Sequence, residues 1–129
     1  MEKEELRSKL LLVMEEEKQL RKQLDALDYY ERLAAAAEYV GKYFMEANRF
    51  PDENIRCVYV YGTDPRSCET KSIQISYWKD QNDYFEIQYS SLFDPKKWEE
   101  EDKWEMITKS EFECHYYEVM KRINSAIIG

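Results

Sequence analysis

The sequence predicts an α+β protein with a long N-terminal coiled-coil helix, a small antiparallel sheet and a C-terminal helix. Residues 2–40 contain neither Pro nor Gly and are rich in helix formers. Residues 55–89 alternate between apolar and polar side chains, as antiparallel strands do. We expect a β-meander or an SH3-like barrel of about four or five strands. The domain boundary is predicted near Gly41, which gives a dimerisation helix (1–40) and a compact α+β domain (41–129).

The first helix carries a heptad repeat. Aliphatic residues recur at alternating spacings of four and three, and Glu17 is the one interruption. A single helix cannot bury such a narrow stripe by itself, so we expect a homodimer. The stripe, named here the apolar seam, consists of Leu6, Leu10, Val13, Leu20, Leu24 and Leu27. Parallel and antiparallel pairing both stay open, and the alternative is a helix folded back on its own domain.

Four strands are predicted after the helix. Residues 55–61, 71–79, 84–89 and 104–107 have strand patterns, and residues 43–45 either continue the helix or begin another strand. Asp80 to Asp83 is expected to form a hairpin loop. In the strand that follows this loop, the alternation places Phe85, Ile87 and Tyr89 on the inner face.

The last helix is expected to begin with a capping box formed by Ser110 and Glu113. Phe112, Tyr116 and Val119 then follow at helical spacing. This spacing predicts that the helix packs on the sheet.

No catalytic, cofactor or metal motif emerges. His115 is the single histidine, and its neighbour Cys114 lies on a different face of the same helix. Cys57, Cys68 and Cys114 form an odd set without a C-x-x-C pair, which indicates a reducing compartment such as the cytoplasm. Three glycines cannot build a phosphate-binding loop. We therefore expect a non-enzymatic protein that needs neither cofactor nor metal.

The acidic composition bears on the choice of partner. The net charge is −8 and no basic stripe is present, which argues against direct nucleic-acid binding, and no signal peptide or membrane span fits. The densest negative run is named here the acidic segment and comprises Glu99, Glu100, Glu101, Asp102 and Glu105. It is either a binding site for a basic protein, such as a nucleic-acid-binding effector, or a solvated loop.

Aromatic residues offer an alternative function. If Val58 and Val60 point inward, Tyr59 and Tyr61 project outward, and Trp78 and Tyr84 can join them. Such a platform would stack a nucleotide or another small ligand, and a protein with this site would sequester that ligand. Alternatively, one of the two helices covers these side chains and makes them a second core.

The order of segments resembles small phage and prophage accessory proteins, in which a helical lead precedes a compact β-domain and a closing helix. The resemblance is carried by residues 41–44, 57–60, 104–107 and 110–112 within a stretch of roughly 41–123. It implies a phage-encoded protein that works in the host cytoplasm by binding host or defence machinery, as anti-CRISPR proteins do. The function expected from the sequence is therefore that of a dimeric, acidic inhibitor that binds a macromolecular partner.

Overall fold

The computed structural model describes residues 2–47, 54–100 and 102–128 and confirms the α+β class. The chain divides into two compact units, Met1–Arg32 and Leu33–Gly129, so the second unit includes the last turn of the first helix. The elements are α1 (Lys3–Ala37), β1 (Tyr43–Glu46), β2 (Asn54–Asp64), β3 (Glu69–Trp78), β4 (Gln81–Phe93), a 3₁₀ helix (Pro95–Glu99), β5 (Trp104–Ile107) and α2 (Lys109–Ile128).

Helix α1 is one continuous helix of 35 residues. The helix ends at Ala37, and the turn that follows closes at Gly41, whose φ of +90° is a left-handed conformation that glycine reaches without steric cost. The Gly41 amide then donates to the carbonyl of Val60 at 2.8 Å, and the Val60 amide donates to Lys42 at 3.0 Å. The chain therefore passes directly from the helix end into the sheet, and residues 43–45 belong to strand β1.

All five strands are antiparallel, in the order β4-β3-β2-β1-β5. Strands β1 to β4 form a meander, and β5 returns to pair with β1. Strands β4 and β5 are the two edges of this sheet. Of the two predicted forms, the open meander is the one found.

The sheet buries a separate apolar cluster on each face. Helix α2 covers one face, where Phe112 and Val119 pack against β-strand side chains. The strand residues of this first core are Ile55, Cys57, Ile75, Tyr77 and Ile107. On the opposite face Phe44, Val58, Val60 and Trp98 form the second core, and the rings of Phe44 and Trp98 stack at 4.7 Å.

A bulge in β4 changes which face its side chains reach. Between two ladder pairs, Tyr89 and Ser90 together oppose one residue of β3, and Ser90 has a φ of +61°. Before the bulge Phe85 and Ile87 pack on the first core, whereas after it Phe93 packs on the second. The prediction that Tyr89 points inward is wrong, because the bulge leaves its side chain 68% exposed.

The turn between β3 and β4 is shorter than predicted. Trp78 pairs with Gln81, so Lys79 and Asp80 form the turn and the predicted loop residues 81–83 belong to β4. Arg122 of α2 donates hydrogen bonds to backbone carbonyls of this turn.

The predicted capping box of α2 is displaced by two residues. Thr108 is the N-cap, and its Oγ1 accepts a hydrogen bond from the Glu111 amide at 3.1 Å. The Glu111 carboxylate in turn accepts from the Thr108 amide at 3.4 Å. Ser110 lies inside the first turn of the helix, so the Ser110–Glu113 prediction is wrong. Thr108–Glu111 and Ser110–Glu113 both have the spacing of a capping box. Because β5 ends at Ile107, the helix starts directly after Thr108, which makes Thr108 the N-cap.

Candidate interaction surfaces

The apolar seam of α1 is exposed along its full length. Every described residue from Glu2 to Asp28 is exposed. The aliphatic side chains of the seam are each between 54% and 66% exposed: Leu6, Leu10, Val13, Leu20, Leu24 and Leu27. Leu11, Leu12 and Met14 beside them are exposed as well. An apolar stripe of this length in contact with water is a candidate interaction surface.

Glu17, the charged member of the series, is partnered within its own helix. Arg21 donates to the Glu17 carboxylate at 2.6 Å, in the i, i+4 geometry that helices favour. The negative charge of Glu17 is therefore balanced by a residue of α1 itself. That pairing reduces the cost of placing Glu17 near a helix interface.

The acidic segment lies between the 3₁₀ helix and the edge strand β5. Glu100 forms an ion pair with Lys103 at 3.2 Å, and Glu105 is exposed on β5. Asp102 occupies the turn before β5, and Glu101 lies outside the described residues. The segment therefore presents carboxylates at one edge of the sheet, with one of them partly offset by a lysine.

Glu99 has a structural partner. Its carboxylate accepts a hydrogen bond from the Tyr39 hydroxyl at 3.0 Å, which joins the segment after α1 to the 3₁₀ helix. Burial, this hydrogen bond and the charges of Glu99 and Glu38 raise the pKa of Tyr39 to about 12. Glu99 therefore has a role within the fold.

The predicted aromatic platform is not assembled. Tyr59 stacks on Tyr43 at 4.6 Å and lies near Phe112 of α2, so it belongs to the first core. The alternation of faces is as predicted, but the expectation that Tyr59 projects outward is wrong, because α2 covers the face that Tyr59 shares with Cys57. The predicted alternative, in which a helix covers it, is confirmed for this residue.

The other platform residues separate into two places. Trp78 and Tyr84 contact each other edge to face at 5.7 Å beside the β3–β4 turn. Tyr61 lies at an irregularity of β2, where its hydroxyl hydrogen-bonds Ser90 at 2.9 Å. Of the four platform residues, Trp78 and Tyr84 are therefore the two that contact each other.

The residues with catalytic potential are dispersed. The Nδ1 atom of His115 hydrogen-bonds the Tyr77 hydroxyl at 2.7 Å, on the α2 side of the sheet. Cys57 and Cys68 are buried, Cys114 is exposed, and none of the three forms a disulfide. Within the described ranges, no group of His, Cys, Asp and Glu side chains could hold a metal ion.

Sequence reasoning missed Arg122, which is only 6% exposed. Its guanidinium donates to the carbonyls of Trp78, Gln81 and Tyr84, the latter two at 2.8 and 3.3 Å. The other terminal nitrogen donates to Lys79 at 3.4 Å. This arginine of α2 therefore binds the whole β3–β4 turn.

Two further contacts complete the Arg122 environment. Its Nε atom donates to Glu118 at 3.1 Å, and its guanidinium lies 4.7 Å from the centre of the Tyr77 ring. An arginine in the middle of an amphipathic helix gives no sign of this role in the sequence. Four of its acceptors are backbone carbonyls more than thirty residues away.

The chain matches no protein-family model, no curated protein and no solved structure. In the part of the chain that the structure describes, no helix is long and apolar enough to cross a membrane. Inferences about function therefore depend on the surfaces described above.

Proposed function

We propose that this protein is a non-enzymatic binding protein that dimerises through α1 and uses its second unit to bind a macromolecular partner. The observation that carries the proposal is the exposed apolar seam. Six aliphatic side chains in coiled-coil register are in contact with water along a helix that has its own compact unit. Their burial against another helix is the main available source of association energy.

A second copy of the chain is the partner that fits the seam best. The repeat extends over more than three heptads, which is enough for a coiled coil, and it pairs naturally with itself. Dimerisation would present two copies of the second unit in one particle. The gain from two linked binding units is avidity, since the second contact becomes intramolecular.

The acidic segment is the proposed contact surface for the further partner. Glu100, Asp102 and Glu105 lie at one edge of the sheet, where a basic protein surface can approach them. The resemblance to phage accessory proteins makes a nucleic-acid-binding effector of host defence the first class of partner to test. An inhibitor of this kind needs no reaction centre, because occupying the effector's basic surface is sufficient.

Sedimentation velocity tests the dimer. Wild-type protein is expected to sediment as a dimer at tens of micromolar, and the double variant Leu20→Glu/Leu24→Glu as a monomer. The matched control is Gln19→Glu/Ala26→Glu, which adds the same charge at outward positions of the same helix. A monomeric wild-type protein would contradict the proposal, as would a control variant that dissociates as completely as the seam variant.

A binding experiment tests the partner. Basic effector proteins are captured on immobilised wild-type protein and then measured individually in purified form. The proposal requires a saturable complex with one of them that is weakened by neutralising Glu100, Asp102 and Glu105. Binding that survives this neutralisation unchanged would assign the contact to another surface.

A further inference from the structure

We infer that α1 pairs with α1 of a second copy in the antiparallel direction, with the centre of the pair between Lys18 and Gln19. This inference rests on the proposed dimerisation and adds to it the direction and register of the two helices. It is carried by the chemistry of the seam positions.

The seam positions form two chemically different sets. In a heptad labelled a to g, the core is made by positions a and d. In α1 all five d positions are apolar, whereas three of the five a positions are charged. The d positions are Leu6, Val13, Leu20, Leu27 and Ala34, and the a positions are Lys3, Leu10, Glu17, Leu24 and Glu31. All ten side chains are exposed in the structure.

Parallel pairing in register would bring each a position against its own copy. Lys3 would then meet Lys3, Glu17 would meet Glu17, and Glu31 would meet Glu31. Like charges that face each other across a partly desolvated interface repel strongly. The exposed pairs that parallel pairing would gain, such as Glu16 with Arg21 of the second copy, contribute little in return.

Antiparallel pairing interchanges the two sets, so that each a position meets a d position. With the centre between Lys18 and Gln19, Leu10 lies opposite Leu27 of the second copy and Leu24 lies opposite Val13. Glu17 lies opposite Leu20 of the second copy. Its carboxylate keeps the 2.6 Å contact with Arg21 of its own helix. No charged residue of the seam then faces its own copy.

The same register creates attraction at both ends of the pair. Lys3 and Glu31 of the second copy fall in adjacent layers, about 4.5 Å apart along the axis. Arg7 and Asp28 of the second copy flank the seam on the same side. Each of these contacts occurs twice because the pair is symmetric.

The direction of pairing decides how the dimer can act. Leu33, where the second unit begins, would lie about 43 Å along the axis from Leu33 of the other copy. In a parallel pair the two residues would be only about 10 Å apart. The antiparallel direction therefore places the starts of the two second units far apart, whereas the parallel direction would place them side by side.

Disulfide mapping tests the direction. In a Cys114→Ser background, which removes the exposed native thiol, Leu10→Cys and Leu27→Cys are introduced together. After mild oxidation, mass spectrometry of the peptides is expected to show position 10 joined to position 27. Position 10 joined to position 10, or 27 to 27, would establish parallel pairing and overturn the inference.

The experiment separates this inference from the proposed function. Sedimentation of the wild-type protein reports whether a dimer exists at all. A monomer would overturn the proposed dimerisation, whereas a dimer with joined like positions would overturn only the antiparallel direction.

A charge exchange gives a second readout on the unlinked protein. Glu31→Lys is expected to weaken the dimer by about tenfold, since two attractive contacts become repulsive. Adding Lys3→Glu should restore the affinity, because opposite charges then meet again. A parallel dimer would show no such rescue, because neither change would create a new pair of opposite charges in the seam.

Discussion

Arg122 shows how one buried residue can determine a local backbone structure. Its guanidinium reaches four carbonyl oxygens of the β3–β4 turn, so α2 fixes the position of a hairpin that it does not adjoin in sequence. A buried cation is stable only when its donors are satisfied. The carbonyls and the Glu118 carboxylate satisfy them.

Arg122→Met should therefore destabilise the second unit by about 3 kcal/mol, since it removes the donors of a buried charged network. Urea denaturation measures this change. Lys121→Met, at the exposed neighbouring position, is the control and should stay within about 0.5 kcal/mol of wild type. Equal stability of the two variants would show that the carbonyl contacts do not stabilise the turn.

Tyr39 gives the fold a dependence on alkaline pH. Its pKa is raised to about 12 from an ordinary value of 10.0, so the folded protein holds the phenolic proton more tightly than the unfolded chain does. The resulting stability is present in full below pH 10 and is lost as the pH rises through about 12.

We expect the melting temperature of wild type to fall relative to that of Tyr39→Phe across this pH range. Thermal denaturation at a series of pH values measures the difference, and Tyr30→Phe, on the exposed part of α1, controls for the loss of a hydroxyl. A constant difference between wild type and Tyr39→Phe would rule out this role for Tyr39.

At the scale of elements, the start of α2 depends on a reciprocal pair of hydrogen bonds. Thr108→Ala removes the acceptor of the Glu111 amide and should cost about 1 kcal/mol. Ser110→Ala, two residues later, should change the free energy of unfolding by only about a few tenths of a kcal/mol. Chemical denaturation of both variants distinguishes the two capping boxes, and a larger loss from Ser110→Ala would restore the pair predicted from the sequence.

The bulge in β4 is the second feature that operates at the scale of an element. It lets one strand contribute Phe85 and Ile87 to the core under α2 and Phe93 to the opposite core. The single extra residue shifts the alternation of side chains by one position. A strand of 13 residues can thus help to bury both faces of the sheet.

The whole molecule carries a net charge of −8, and its acidic segment is expected to speed association with a basic partner. The test variant is Glu100→Gln/Asp102→Asn/Glu105→Gln, which keeps Glu99 because Tyr39 donates to it. The association rate should fall several-fold at low salt. Increasing ionic strength should slow wild type similarly, as the Debye length falls from about 30 Å at 0.01 M to about 8 Å at 0.15 M.

The matched control neutralises three exposed carboxylates near the other edge of the sheet: Asp80→Asn/Asp83→Asn/Glu86→Gln. Both variants have the same net charge, so a difference in stopped-flow rates reports the position of the charges. Their melting temperatures should stay close to wild type, because exposed charges contribute little to stability. Equal association rates for both variants would indicate that the acidic segment is a solvated loop.

The sequence by itself determined most of the helices and strands of this protein and the heptad seam of its first helix. Periodicity suffices for these features, because a 3.5-residue or 2-residue repeat reports directly which side of an element is apolar. Tertiary structure alone decided the covering of Tyr59, the role of Arg122, the change of face after Ser90 and the choice of Thr108 as N-cap. Each of these depends on contacts between residues far apart in the chain or on a one-residue shift of register, and neither leaves a periodic signal in the sequence.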